Sequence, residues 1–449
     1  MDTERKVQVD LAKDLYGPIA GNRVVQLLAG LISMIVISNY QYAFTLFTPG
    51  MRQQFVGTPY SQIALIFSLF ILFETWPVPL AGIFIDKFGI RKLMIVGSLG
   101  VLLGWLLGGT LARSVFDLYI YYGVLAGTGA GIIYIATVAN AVKWFPDRRG
   151  LAAGLTAAGF GGGAALTLIP ISNTIAAVGW AHSMAAWGVF QGVVAFAMAL
   201  ILRHPPANWR PAGWEPKASK TVVQTAVNYS WQQTLRRPEF YLLYLMFIMV
   251  CAGGLMTTGN LSEIARSLRV QNATVLGISI VAFTATLTGI TNAVSRIMWG
   301  VISDRVGREN TMALAFAVEA CFIFLVTQIA GYPMLFVLVL PFVFLSWGEI
   351  YALFSAITGD VFGPKNASAN YGMLYTAKGM ASLMAGWGAA VVAAAFAGSF
   401  QVPYYIAACF DVGAAVLAFF ALKPLVRARI ARENDLQGGK KEGAVLRAA

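Results

Sequence analysis

Charge is scarce in this chain. Asp, Glu, Lys and Arg make up only 12% of its 449 residues, about half of what a soluble domain of that size carries. An ordinary water-soluble fold is thereby excluded. Cysteine is nearly absent as well, with Cys251, Cys321 and Cys409 all inside apolar stretches. They have neither zinc spacing nor a disulfide framework and are read as buried thiols. The two histidines, His182 and His204, fall near the ends of apolar segments, so neither makes a buried proton relay. No metal-ligand cluster, nucleophile and base motif or phosphate-cradling glycine loop occurs in an aqueous stretch. No enzyme activity, cofactor or metal is therefore expected. Residues 1–23 are mixed in charge and lack a short apolar core, so no cleavable leader is expected there.

What fills the chain is apolar. Hydrophobic residues make up 58% of it, and twelve stretches are each long enough to cross a hydrocarbon core of about 30 Å. They are 24–48, 60–84, 92–112, 117–142, 151–173, 180–202, 239–258, 275–301, 311–330, 333–358, 370–396 and 403–422. An all-α, multi-pass membrane protein of twelve helices follows, with the lipid bilayer as its first partner.

The net charge of +12 would suit a nucleic-acid partner, but its placement excludes one. Of 32 Lys and Arg, 26 lie in the two tails and in alternate loops, and the opposite loops hold only Arg52, Arg113, Arg266 and Arg269. This is the bias that orients membrane proteins, and it places both termini in the cytoplasm.

The remaining two cations lie within apolar segments. Arg296 is eight residues before Asp304, about 12 Å inside the membrane surface at 1.5 Å per residue. Lys378 lies eight residues past Asn370, at the same estimated depth. A cation at that depth usually faces a cavity or a partner rather than lipid. Two of them on different helices point to an anion site. Acids reach mid-depth too, at Glu74 and Glu349. They are assigned charge compensation of the two cations, with proton coupling as the alternative, since burial favours the protonated carboxyl. Glu319 and Asp411 lie within apolar segments as well, 9 and 12.

The chain also repeats. Gly82, Asp86-Lys87 and Gly89 with Arg91 close segment 2, and Gly300, Asp304-Arg305 and Gly307-Arg308 close segment 8. Phe145–Gly154 before segment 5 is echoed by Phe362–Gly372 before segment 11. The longest hydrophilic interval lies between the two sets of six segments. The domains expected are a tail at 1–23, a six-helix bundle at 24–202, a central loop at 203–238, a second bundle at 239–425 and a tail at 426–449. Superposing the repeats puts Val78 opposite Arg296 and Phe160 opposite Lys378. The cations belong to one half only, so packing symmetry did not require them. Glycines at four-residue spacing, 100, 104 and 108 and then 123, 127 and 131, predict close helix packing.

Twelve spans in two halves with paired Gly-Asp-basic turns resemble the major facilitator superfamily. Within it, the chain is similar to the oxalate:formate antiporter family along all twelve spans. The likeness rests on Gln41-Tyr42, WFPDRRGLAAGLTAAG at 144–159, the Arg296 segment, Trp347 with Tyr351, and NYGMLYTAKG at 370–379. The resemblance implies that Arg296 and Lys378 bind substrate carboxylates, with Gln41, Tyr42, Tyr134, Trp347, Tyr351 and Tyr375 lining the cavity. It further implies that Asp86, Arg91, Asp304 and Arg308 act as gating residues at the cytoplasmic face. Two departures stand out: Phe160 replaces a tyrosine of the oxalate transporter, and Glu74 and Glu349 replace uncharged residues. The expected function is alternating-access transport of small carboxylates, by oxalate:formate-type exchange, in a bacterial inner membrane and as a monomer. The alternative is a proton-coupled carrier of a monocarboxylate such as lactate or pyruvate.

Overall fold

The computed structural model of the chain describes residues 12–433 apart from 14, 207–208, 212–224 and 226, and the side chains at 81–83, 86, 149 and 150 lie outside that description. Its principal helices, in chain order, are α1 (Arg23–Tyr42), α2 (Phe44–Gln54), α3 (Tyr60–Thr75), α4 (Val78–Phe88), α5 (Ile90–Thr110), α6 (Gly127–Trp144), α7 (Arg149–Gly163), α8 (Leu168–Ile201), α9 (Pro238–Ser267), α10 (Ile280–Val306), α11 (Arg308–Val326), α12 (Pro333–Trp347), α13 (Ile350–Phe362), α14 (Ala367–Ser382) and α15 (Gln401–Val416).

Among the described residues eleven helical stretches are long and apolar enough to cross a membrane, against the twelve expected. The difference lies in Leu151–Ile201, a single stretch of 51 residues. Gly179 within it has φ 82° and ψ 165°, a conformation open to a residue without Cβ. Trp187 Nε1 donates to Thr174 Oγ1 at 2.9 Å across thirteen residues. A straight helix would hold those residues about 20 Å apart, so the chain reverses at Gly179 and the stretch forms two antiparallel arms.

Other boundaries moved for polar reasons. The segment expected to end at 258 continues to Ser267, because Asn260 and Glu263 have partners across the molecule. The final helical stretch runs to Glu433, where Glu433 accepts from Thr225 Oγ1 at 2.5 Å and Arg429 pairs with Glu239 at 2.8 Å. The tail expected from 426 is thus helical to 433, and its remainder lies outside the described residues. Cys251 is buried, but Cys321 and Cys409 are exposed on the outside of the helical body. They are apolar-surface cysteines rather than the buried thiols expected.

Three of the spans are broken at one level. α1 gives way to α2 at Ala43, α3 to α4 at Trp76-Pro77, and α12 to α13 at Gly348-Glu349. The second break has a covalent cause, since Pro77 and Pro79 remove two amide donors. Gln41, Tyr42, Glu74, Trp347 and Tyr351 lie within a turn of these breaks. Interrupted helices at mid-depth are a common way to build a transport site.

The two glycine series make two seams. A Cβ on Gly104 would lie 2.6 Å from that of Ala126, and one on Gly127 would lie 2.6 Å from the Phe70 carbonyl oxygen. At Gly131 the clash would be with the Glu74 carbonyl oxygen, at 2.1 Å. α6 thus rides directly on α3 and fixes the backbone that presents Glu74. The paired turns also match in backbone, with φ, ψ of 84°, 150° at Gly89 and 93°, 150° at Gly307. Each glycine closes one helix and opens the next.

The molecule is shut at the end that carries Arg52 and open at the end that carries Asp304. At the Arg52 end, Arg52 pairs with Glu263 at 2.6 Å. Ser262 N donates to Thr45 Oγ1 at 2.8 Å, and Tyr60 OH to Asn260 Oδ1 at 2.9 Å. Ser68 and Ser382 exchange hydroxyl-to-carbonyl bonds at 2.7 and 2.9 Å. Each contact joins a residue of the first six segments to one of the last six. Glu263→Gln should therefore loosen this closure. In a variant without native cysteines, a cysteine placed at Thr258 should react faster with a membrane-impermeant thiol reagent applied from the Arg52 side. An unchanged rate would show that the ion pair does not hold this end closed.

Candidate functional site

A cavity of about 600 Å³ runs inward from the Asp304 end. Asp304 and Arg308 stand at its mouth, and Arg296, Tyr134, Tyr351, Tyr371 and Tyr375 line its inner part. Beyond them, between Tyr42, Thr258 and Thr288, a separate void holds only about 10 Å³. The cavity is a blind pouch whose inner wall carries an arginine.

α7 makes room for that arginine. A Cβ on Gly161 would sit 2.8 Å from Arg296 Nε, and one on Gly162 would sit 2.7 Å from the Ala293 Cβ. Arg296 Nη1 donates to the Ala157 carbonyl at 2.8 Å, and Nε to Asn292 Oδ1 at 3.4 Å. Its guanidinium lies 4.3 Å from the centre of the Tyr351 ring, a cation–π contact. Nη2 is buried and has no hydrogen-bond partner among the described residues. No carboxylate pairs with Arg296 there either. Asn292 in turn donates to Tyr42 OH at 2.8 Å, which ties α10 to the break after α1.

Lys378 is differently placed. It is fully buried and absent from the cavity wall. Its Nζ donates to Glu74 Oε2 at 2.8 Å, Gln41 Oε1 at 2.9 Å and Tyr375 OH at 3.3 Å. An ammonium has three protons to give, and each has an acceptor. Removing one partner of such a buried pair costs about 3–5 kcal/mol. The rings of Phe160 and Tyr375, 5.3 and 5.5 Å away, complete the surround. Tyr134 stacks on Tyr375 at 5.4 Å.

Of the eight residues expected to bind substrate, Arg296, Tyr134, Tyr351 and Tyr375 line the pouch. Lys378, Gln41, Tyr42 and Trp347 do not. Trp347 lies against Gly254, where an added Cβ would come within 2.3 Å of the indole, and meets Tyr351 edge-on at 5.4 Å. Tyr371, one turn from Tyr375, was not anticipated as a wall residue, nor were Asn292 and Gly161 as supports of Arg296. The glycine run after Phe160 was the available signal for the last of these.

The acids separate into two kinds. Glu74 is the counter-ion of Lys378. Glu349, expected to compensate the cations, pairs with neither. Gly348 faces Asn292 and Ser295 of α10, so the next residue turns away, toward α11 and α15. There Glu349 interacts with Asp411, and Glu319 with both. All three acids are fully buried, and their oxygens have no hydrogen-bond partner among the described residues. None lines the pouch.

Of the four residues expected to gate, Arg308 pairs with Asp304 at 2.7 Å and Asp360 at 3.1 Å, contacts within one half. Arg91 is exposed. The Asp86 side chain lies outside the described residues. With this end open, no hydrogen bond or ion pair of Arg308 bridges the two halves among the described residues.

A family model described as Major Facilitator Superfamily matches residues 27–284 and again 264–447. An oxalate:formate antiporter from Oxalobacter formigenes is 32% identical over 410 residues, 91% of this chain and 94% of that protein. Human monocarboxylate transporter 14 is 35% identical over 122 residues, 27% of this chain and 23% of its own length. A crystal structure of a D-xylose-proton symporter superposes with a TM-score of 0.69 at 12% identity, over 89% of this chain and 98% of that one, a likeness of fold.

Proposed function

Since this chain belongs to the major facilitator superfamily, a multi-pass membrane protein and a transporter rather than an enzyme, we propose that it exchanges small carboxylates by alternating access. The observation that carries this reading is Arg296, which lines the inner wall of the pouch and whose Nη2 has no hydrogen-bond partner among the described residues. A buried guanidinium with a free fork position is suited to a carboxylate, which it binds through charge-assisted and often bidentate hydrogen bonds. The rings of Tyr134, Tyr351, Tyr371 and Tyr375 line the pouch around the arginine, and low-polarity surroundings strengthen a charge contact made there.

Exchange follows from the cost of an empty site. An uncompensated buried cation is expensive, so the unloaded protein returns slowly and a counter-anion speeds it. The oxalate:formate antiporter, similar over nearly the whole chain, supports this mode. The pouch opens toward the cytoplasm in this proposal, because the Asp304 end carries the positively charged loops. The protein works as a monomer of two six-helix bundles in a bacterial inner membrane, with Asp86, Arg91, Asp304 and Arg308 at the gate. A second reading, proton-coupled monocarboxylate transport, draws on the partial match to monocarboxylate transporter 14.

Uptake of labelled formate and oxalate into proteoliposomes, loaded or not with either anion, tests the proposal. Uptake that requires internal anion is the expected result. Lactate or pyruvate entering empty vesicles along a proton gradient, with no formate or oxalate exchange, would overturn it in favour of the second reading.

A further inference from the structure

We infer that Glu74 is a resident counter-anion that sets the charge of the substrate the site accepts, an inference that rests on the carboxylate-transport reading. Two cations and one carboxylate meet at the centre of the molecule. Glu74 Oε2 lies 2.8 Å from Lys378 Nζ with both side chains fully buried. Lys378 has no proton left to offer, and the pouch does not reach it. Arg296 does face the pouch and has no carboxylate partner among the described residues. The site therefore presents a single uncompensated positive charge. The other buried acids, Glu319, Glu349 and Asp411, interact with one another and do not pair with either cation.

A monoanion bound to Arg296 brings that sum to zero. A dianion brings it to one excess negative charge in a buried site, which is costly, or must displace Glu74 from Lys378 and leave a carboxylate stranded. The wall thus selects a monocarboxylate over a dicarboxylate of similar size. The position of Glu74 is well defined for this task. Gly131 holds its backbone against α6, and the Pro77 break follows three residues later. Its partner comes from the other half of the chain, 304 residues away.

The test compares exchange of labelled formate and labelled oxalate, each against internal formate, in proteoliposomes of the full-length protein. The wild type is expected to favour formate. Glu74→Gln frees Lys378 and should raise the oxalate-to-formate ratio by about tenfold or more, the size of a 1.4 kcal/mol change. Lys378→Gln alone leaves Glu74 as an unpaired anion beside an anion site, and formate exchange should fall by several hundredfold, as for the loss of one partner of a buried pair. Adding Glu74→Gln to Lys378→Gln removes the stranded charge and should recover most of that loss, whether or not the single Glu74 variant folds. An unmoved ratio in Glu74→Gln, with both anions still exchanging, overturns the inference. So does a double variant no better than Lys378→Gln, which would mean that substrate needs the lysine itself. Absence of formate and oxalate exchange in the wild type, under every loading, would instead defeat the transport reading, and this inference with it.

Discussion

Arg296→Gln is expected to abolish carboxylate exchange while the protein still reaches the membrane. Glutamine can replace one of the hydrogen bonds that Arg296 donates to the neutral oxygens of Ala157 and Asn292, but it supplies no charge to the pouch. An anion desolvated there without its cation loses about 2–5 kcal/mol of interaction, roughly thirtyfold to several thousandfold in affinity. The fold should tolerate the change. Arg296 is a buried cation without a carboxylate partner among the described residues, so its removal relieves a desolvation cost, and the midpoint of thermal denaturation should hold or rise. Arg296→Lys keeps the charge but offers a point donor in place of a planar fork, so flux should be intermediate. Near-normal flux in Arg296→Gln would remove this residue from the mechanism and with it the assignment of the pouch.

Gly131→Val is expected to have the largest effect on stability. The added Cβ would lie 2.1 Å from the Glu74 carbonyl oxygen, and that neighbour is main chain, so no rotamer change relieves the clash. α6 must move off α3, at an overpacking cost of about 1–3 kcal/mol. The displaced backbone is the one that aims Glu74 at Lys378, so transport should fall together with thermal stability. Gly300→Ala serves as the control, because nothing lies within 4 Å of the added carbon, and its denaturation midpoint should match that of the wild type. Equal midpoints for Gly131→Val and Gly300→Ala would show that the α3–α6 seam can open without penalty.

These two residues differ in how well the sequence announced them. Arg296 was legible because a cation inside an apolar run is rare and costly, so its presence needs a reason wherever the helix packs. Gly131 was legible as the last member of a four-residue glycine series, though not as the residue under Glu74. The acids were harder. Glu74 and Glu349 carry the same local signal, a carboxylate at mid-depth in an apolar segment. One is the partner of Lys378, and the other is buried with no hydrogen-bond partner among the described residues. The one-residue turn at Gly348-Glu349 decides that difference, and no periodicity records it.

By itself the sequence determined depth. Rise per residue along a helix is fixed at about 1.5 Å, so counting from Asp304 and Asn370 placed Arg296 and Lys378 at one level. The matched turns at Gly89 and Gly307 were likewise local, since each needs only a residue free of Cβ at positive φ. Only the tertiary structure decided who faces whom at that level. The Glu74–Lys378 pair joins residues 304 apart, and the pouch that admits Arg296 but not Lys378 depends on how α6, α7, α10, α13 and α14 are rotated about their axes. Rotation is set by packing against neighbours distant in the chain, where Gly161 yields space to a guanidinium and Tyr134 on Tyr375 walls off an ammonium.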